Sequence, residues 1–143
     1  MAPVPLTTYI GTKIIHATPM DGNLGQPGYQ VVYEDGYTSW SPKEVFDRAY
    51  RKTDAMTFGD ALVMLEAGKK VARAGWNGKG MWLALVDGPT IAWAIYTPGD
   101  GDEHKFAKLD LLPWIGMKTA DRGFVPWLAS QTDMLAKDWQ VVE

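Results

Sequence analysis

Turn-forming residues divide this sequence into short segments. Fifteen glycines and nine prolines are spread through its 143 residues, and they alternate with short stretches that have the pattern of a strand or of a helix. Short strands separated by tight turns are typical of antiparallel pairing, because a hairpin needs only a few connecting residues. The sequence therefore predicts an α+β fold with a mostly antiparallel sheet and a few short helices.

The N-terminal part is predicted to begin as a small β-meander. β-Branched and aromatic residues predict strands at 7–17, 29–33 and 37–40. Asp35-Gly36 has the form of a tight turn that joins the last two strands into a hairpin.

A helix with its own start signal is expected to close this part. Ser41 offers an N-cap hydroxyl, Pro42 suits the first helical position and Glu44 follows at the capping-box spacing, which predicts a helix over about 42–51. A polar stretch then interrupts the pattern. We therefore expect two domains: a meander-and-helix extension at 1–55 and a core at 56–143.

The core is predicted to begin with a capped helix and to continue as strands. Thr57 is a suitable N-cap for a helix with apolar positions over 58–65, and Gly68 is well placed just past its end. The apolar run 109–118 is interrupted by Pro113, which predicts an edge strand or a strand with a bulge. Further strands are expected at 69–73, 81–86, 90–96 and 139–142, with a polar surface loop at 97–105.

Composition excludes several classes of function. The chain has no cysteine, which excludes disulfides, thiol nucleophiles and cysteine-bound zinc. A net charge of -3 and a pI near 5.3 leave no basic surface for long DNA or RNA. The sequence has no signal-peptide pattern and no apolar run of membrane-spanning length. We therefore expect a cytoplasmic protein that binds neither a membrane nor a long nucleic acid.

Known catalytic and cofactor motifs are absent from the sequence. It contains no H-E-x-x-H zinc motif, no P-loop, no dinucleotide-binding glycine motif and no nucleophile elbow. The acidic loop with Asp100, Asp102 and Glu103 lacks the ligand spacing of a calcium site, so a solvated surface loop is the favoured interpretation. The sequence therefore predicts no metal, no cofactor and no enzymatic activity.

Seven tryptophans are the unusual feature of the composition, and such residues either pack an aromatic core or stack on a flat ligand. Around Trp76, one turn combines an indole, the amide of Asn77, the flexible Gly78 and the cation of Lys79. These groups can stack a base, read its edge and meet a phosphate. A turn with a packed tryptophan is an equal alternative.

Residues 130–133 form a second candidate. Ser130 and Asp133 have the spacing of a helix start. With Gln131 and Thr132 they place four hydrogen-bonding side chains at a helix N-terminus, where unpaired N–H groups favour an anion. Capping is the favoured interpretation, and ligand binding is compatible with it.

Longer motifs carry a resemblance to a known family. The sequence reads TFGDAL at 57–62 and KKVARAGWNGKGMWL at 69–83, followed by LPWIGMKTAD at 112–121 and VPWLASQTDMLAKDW at 125–139. In this order the motifs resemble the phage Thoeris anti-defence protein family, second type. The resemblance covers Met56 to the C-terminus, and several motifs carry it.

The resemblance implies a sponge that binds a signal molecule without cleaving it. Members of this family hold cyclic ADP-ribose isomers made by bacterial TIR-domain enzymes, so that the effector is never activated, and some also bind cyclic oligonucleotides. It further implies action in the cytoplasm of an infected bacterium, and a homo-oligomer, dimer or tetramer, with pockets between protomers.

Several residues are expected to bind the ligand by this resemblance. Trp76 or Trp127 would stack the adenine, and Asn77 or Gln131 would read a base edge or a ribose hydroxyl. The pyrophosphate would meet Arg73, Lys79, Arg122 or backbone N–H groups. The full candidate set is Arg73, Trp76, Asn77, Lys79, Met81, Thr119, Asp121, Trp127, Ser130, Gln131, Thr132 and Asp133.

Two other functions remain open at this point. An enzyme that degrades the signal would need a general acid or base, for which Asp121 and Asp133 are the placed candidates. An interaction protein would instead block a host defence protein through its aromatic surface. The extension 1–55 departs from the family pattern, and its expected roles are a lid, a change in oligomerisation or a second site.

Overall fold

The computed structural model of the protein describes residues 1–76, 79–87 and 112–143. The chain forms two compact units, Met1–Tyr50 and Arg51–Glu143. Each unit contains an antiparallel sheet and one or two short helices, so the predicted α+β class is confirmed. None of the helices in the described residues is long and apolar enough to span a membrane.

The first unit is a three-stranded meander with one helix. Strand β1 (His16–Pro19) pairs with β2 (Gly28–Val32), which also pairs with β3 (Thr38–Pro42), all antiparallel. Helix α1 (Lys43–Ala49) follows directly, and the ring of its Phe46 stacks on Tyr29 with centroids 4.1 Å apart. The predicted meander and helix are therefore confirmed.

The predicted strand at 7–17 is wrong for most of its length, because β1 begins only at His16. His16 pairs with Val32, and the next residue of the partner strand, Tyr33, already enters the turn to β3, where its N–H donates to the carbonyl of Tyr37. An earlier start of β1 would have no partner strand, and β propensity alone does not stabilise a strand in water. Ile10 is 96% exposed.

The capping box predicted at Ser41 is also wrong. Helix α1 begins at Lys43, its N-cap is Pro42, and no side chain caps it. Ser41 instead belongs to β3, where it pairs with Tyr29. The sheet keeps Ser41 extended up to the helix, so its hydroxyl does not reach the first helical N–H groups.

In its described residues, the second unit is a five-stranded antiparallel sheet with two helices. The strands lie in the spatial order β7-β6-β5-β4-β8. They are β4 (Lys70–Arg73), β5 (Trp82–Val86), β6 (Trp114–Lys118), β7 (Phe124–Pro126) and β8 (Trp139–Val142). The helices are α2 (Phe58–Glu66) and α3 (Gln131–Leu135). The buried core consists of Met56, Ala61, Leu65, Val71, Leu83 and Trp139.

Capping boxes start both helices of this unit, as the sequence predicts. The Thr57 hydroxyl accepts from the Asp60 N–H at 3.2 Å, and the Asp60 carboxylate accepts from the Thr57 N–H at 3.1 Å. Ser130 and Asp133 repeat this reciprocal arrangement at α3. Gly68, at a φ of 80°, follows α2 in the left-handed conformation that favours glycine.

Strand β6 corrects the prediction for 109–118. It lies between β5 and β7, in regular register from Trp82 opposite Lys118 to Val86 opposite Trp114. It is therefore neither an edge strand nor bulged, because Pro113 precedes the strand instead of interrupting it. The edge strand on this side of the sheet is β7, which the sequence did not indicate. The strand predicted at 90–96, the loop predicted at 97–105 and the acidic residues 100–103 lie outside the described residues.

Candidate functional site

One end of the five-stranded sheet brings most of the candidate residues together. Strand β4 ends there at Arg73, β5 begins at Trp82 and β6 ends at Lys118, because these strands pair antiparallel. We call it the loop end. It comprises the ends of these strands, the glycine loop (74–81), the β6–β7 turn (119–123) and the α3–β8 connection (136–138).

Arg73 forms the charged centre of the loop end. Its Nε donates to Asp138 Oδ1 and its Nη1 donates to Asp133 Oδ1, both at 3.0 Å. The side chains of Arg73 and Asp133 are 17% and 14% exposed. Such largely shielded, charge-assisted hydrogen bonds are stronger than surface ion pairs.

All three groups of this cluster stay ionised. Burial would raise the pKa of Asp133, but hydrogen bonds from Ser130 and the ion pair with Arg73 hold that pKa below its usual value. The pKa of Asp138 is likewise lowered against the effect of burial, by Arg73 and the Gly75 N–H. The hydrogen bonds to Asp138 and Asp133 in turn raise the pKa of Arg73.

The glycine loop is held at its first residues and near its end. The Ala74 N–H donates to the Asp138 carbonyl at 3.0 Å, and the Gly75 N–H donates to Asp138 Oδ2 at 3.1 Å. Near the end of the loop, Lys118 Nζ donates to the Gly80 carbonyl at 2.9 Å, and Gly80 has a φ of 67°.

The predicted ligand residues of the glycine loop differ in their surroundings. Lys79 is exposed and Met81 is half-buried. The Lys79 N–H donates to the Trp76 carbonyl at 3.4 Å. Asn77 and Gly78 lie outside the described residues.

Four aromatic side chains form a cluster beside the loop end. The Trp76 ring meets Trp139 and Trp127 edge-on, at centroid distances of 5.5 and 6.5 Å, and Phe58 lies 5.5 Å from Trp139. Trp139 is fully buried, whereas Trp76 and Trp127 are half-buried. Both candidate stacking residues thus pack against the core and keep part of their surface accessible.

The β6–β7 turn supplies a further group of polar atoms. The Thr119 N–H donates to the Gly123 carbonyl at 2.9 Å, and the Thr119 hydroxyl hydrogen-bonds the Asp121 carboxylate. This hydroxyl contact, with backbone N–H groups, lowers the pKa of Asp121. Arg122 is exposed and has a φ of 71°, an uncommon conformation for a residue with a Cβ.

The start of α3 is only partly tied to the loop end. Asp133 is connected through Arg73, and Ser130 is engaged in the capping box. Gln131 and Thr132 are exposed on the first turn of the helix. No three histidine, aspartate or glutamate side chains converge as metal ligands in 1–76, 79–87 and 112–143.

Sequence reasoning missed two residues of the loop end, Asp138 and Lys118. Asp138 contacts Arg73 across 65 positions of the chain, and Lys118 contacts Gly80 across 38. No cap or periodic pattern marks either residue. Both contacts follow from the antiparallel pairing of β4 with β8 and of β5 with β6, so a correct prediction of these strand pairs would have identified the two residues.

Comparison with known proteins agrees with the resemblance seen in the motifs. The model of the Tad2-like family, described as the Thoeris anti-defense 2-like domain, matches residues 56–142. A curated protein named Thoeris anti-defense 2, from Bacillus phage SP01, is 41% identical over 90 residues, which cover 61% of this chain and 94% of that protein. The matched region contains the whole loop end. The chain therefore belongs to the Thoeris anti-defense 2-like family.

Proposed function

We propose that this protein is a phage anti-defence protein that binds a cyclic ADP-ribose isomer and holds it intact. The signal would then never reach the effector that it activates in the infected cell. Family membership supports the anti-defence role, since the curated relative carries that name. The finer proposal, that a nucleotide-like signal is bound, is supported by the chemistry of the loop end.

The observation that carries the proposal is the convergence of the glycine loop, the β6–β7 turn and α3. Trp76 and Trp127 offer indole surface for an adenine. Lys79 and Arg122 are exposed cations in the first two of these segments, suited to a pyrophosphate. Aromatic surface combined with a few polar groups is the usual lining of a nucleotide pocket.

Three carboxylates in or beside the loop end favour binding over cleavage. Asp133 and Asp138 are paired with Arg73, and Asp121 is hydrogen-bonded by Thr119. The pKa of all three is lowered. A general acid must be protonated near neutral pH, and a base with a low pKa removes protons poorly. The proposal is therefore that the ligand leaves the protein unaltered.

We also propose that the protein is a dimer or a tetramer with pockets between protomers, as the family resemblance implies. Sedimentation-velocity centrifugation over a range of concentrations tests this part separately. A monomeric protein at the concentrations at which ligand binding is saturated would contradict it. In that case each pocket would have to be complete within one chain.

The test of the proposed function is calorimetric titration with a panel of ligands. The panel contains cyclic ADP-ribose, the isomers that a bacterial TIR-domain enzyme makes from NAD, and cyclic di- and trinucleotides. The complex is then heated and the released ligand is identified by chromatography. Tight binding with intact release supports the proposal, whereas a cleaved product, or no binding to any of them, contradicts it.

A matched pair of variants tests whether the ligand binds at the loop end. Lys79→Ala removes an exposed cation from the glycine loop, and Lys69→Ala removes an exposed cation just before β4, at the opposite end of the same strand. We expect Lys79→Ala to weaken binding several-fold and Lys69→Ala to leave it unchanged. Equal effects of the two variants would place the ligand elsewhere.

A further inference from the structure

We propose that Arg73 is a positioning residue, which holds the glycine loop and α3 in the geometry that the ligand needs without contacting the ligand itself. This inference rests on the proposed function. It differs from the expectation drawn from the sequence, in which Arg73 meets the pyrophosphate.

The surroundings of Arg73 make it a poor partner for an anion. Its Nε and Nη1 donate to two different carboxylates, each at 3.0 Å. One guanidinium charge therefore faces two carboxylate charges, and the cluster as a whole is negative. A phosphate brought to this cluster would meet net repulsion.

Both carboxylates also hold segments that carry candidate ligand residues. Asp138 accepts the Gly75 N–H through Oδ2, and its carbonyl accepts the Ala74 N–H. These two bonds fix the chain just before Trp76. On the other side, Asp133 Oδ2 accepts the N–H of Ser130 at 3.0 Å and also its hydroxyl, which fixes the chain just before Gln131.

The glycine loop lies directly against this ion-pair cluster. A Cβ built at Gly75 would lie 3.3 Å from Asp138 Oδ2 and 3.9 Å from Arg73 Nη2. The Asp133 carbonyl also accepts the indole N–H of Trp139 at 2.9 Å, and Trp139 is the residue on which Trp76 packs. A displacement of Arg73 would therefore change the position of Trp76 in two ways. One acts through the backbone of residues 74–75, and the other through the indole of Trp139, on which Trp76 packs.

The consequence is a binding site whose arrangement is set before the ligand arrives. Segments that are held at 74–75 and at the start of α3 lose little conformational entropy there on binding, and such preorganisation raises affinity. Asp133→Asn and Asp138→Asn each keep the shape of the side chain but remove its charge and one of its two acceptor oxygens. The amide can therefore no longer accept both from Arg73 and from the backbone N–H that the carboxylate holds. The cation itself stays in place, so these variants separate positioning from direct contact.

The test compares ligand affinities in Asp133→Asn, Asp138→Asn and Arg73→Met. The probe is the cyclic ADP-ribose isomer that binds the wild-type protein most tightly in the panel above. We expect each variant to weaken binding by about tenfold or more. In Arg73→Met, the dependence of affinity on salt concentration should keep the wild-type slope, because no ionic contact with the ligand is lost.

Amide hydrogen exchange supplies the second readout, in the absence of ligand. Faster exchange is expected in peptides covering 74–76 and 130–135 of the asparagine variants, with no change in β5. Leu65→Ala is the control for general destabilisation, because it opens the buried core and leaves the Arg73 cluster intact. At a temperature where it is folded, it should bind as wild type does.

The outcomes are distinct. If the asparagine variants bind as tightly as wild type, or more tightly, while Arg73→Met loses affinity with a shallower salt slope, Arg73 is a ligand contact and the inference is overturned. If Arg73→Met does not fold, the two asparagine variants decide. If the wild-type protein binds no member of the panel, the proposed function fails and this inference fails with it.

Discussion

Trp139 connects the core to the candidate site within a single residue. Its side chain is fully buried, its indole N–H donates to the Asp133 carbonyl at 2.9 Å, and its backbone exchanges two hydrogen bonds with Met56. It also pairs with Arg73 in the sheet. Core stability and the geometry of the loop end therefore depend on the same side chain.

The change Trp139→Phe tests this double role. The smaller ring leaves a cavity, and the Asp133 carbonyl loses its donor, so we expect a loss of about 2 to 4 kcal/mol in the free energy of unfolding. Trp82→Phe is the control, because Trp82 is half-buried and belongs to no core cluster of the described residues. Chemical denaturation of both variants measures the difference, and equal losses would contradict the assigned role.

Asp60 links stability to pH. Hydrogen bonds from Arg51, and from Thr57 at the helix cap, lower its pKa from 3.8 to about 2. Because this pKa is lower in the folded state, the ionised Asp60 carboxylate stabilises the fold at pH values above the unfolded-state pKa near 3.8. The contribution is lost as the pH falls through about 2. Arg51 is 42% exposed, so we expect only about 1 kcal/mol after screening.

The measurement is urea denaturation of wild type and Asp60→Asn at several pH values. The variant should be less stable at pH values above about 4, and the two proteins should converge as the pH falls towards about 2. A constant difference over this interval would mean that Asp60 acts through its shape and its hydrogen bonds, and not through its charge.

At the scale of elements, helix starts show what local sequence can and cannot predict. Thr57 and Ser130 cap their helices as expected, because each is itself extended and belongs to no strand. Ser41 has the same kind of signal but belongs to β3. Hydrogen bonds to β2 determine its conformation, and the sequence within a few residues of Ser41 does not contain that information.

These helix starts offer a matched pair of substitutions. Thr57→Ala removes an acceptor that is used in the cap and should cost about 1 kcal/mol of unfolding free energy. Ser41→Ala removes a hydroxyl that caps no helix and should change stability by less than about 0.5 kcal/mol. Thermal unfolding followed by circular dichroism measures both. A larger loss for Ser41→Ala would restore the capping box at α1.

At the scale of the whole molecule, the fold class could be predicted because turns and periodicity are local features. The order of the five strands could not, since β8 comes last in sequence and pairs beside β4. The same limit applies to the candidate site. Trp76, Ser130 and Asp133 have local signals, whereas the role of Asp138 depends on that pairing of distant strands.

The two units lead to a prediction about truncation. Arg51–Glu143 holds its own buried core, so this fragment should fold alone. A fragment starting at Met56 loses the bond from the Val141 N–H to the Thr53 carbonyl, and the Arg51–Asp60 pair. We expect its melting temperature to fall by several degrees. Equal melting temperatures of the two fragments would contradict this role for residues 51–55.

The bond between Thr53 and Val141 also bears on how an extension can be joined to this core. It engages the Val141 N–H on the edge of β8 that faces away from β4. On the same edge, the backbone of Met56 exchanges two hydrogen bonds with Trp139, the residue of β8 nearest the loop end. An uncovered strand edge invites pairing with other chains. In evolution or in protein engineering, a new N-terminal module would therefore be tolerated best when it is joined before Arg51. The segment that covers this strand edge then stays with the core.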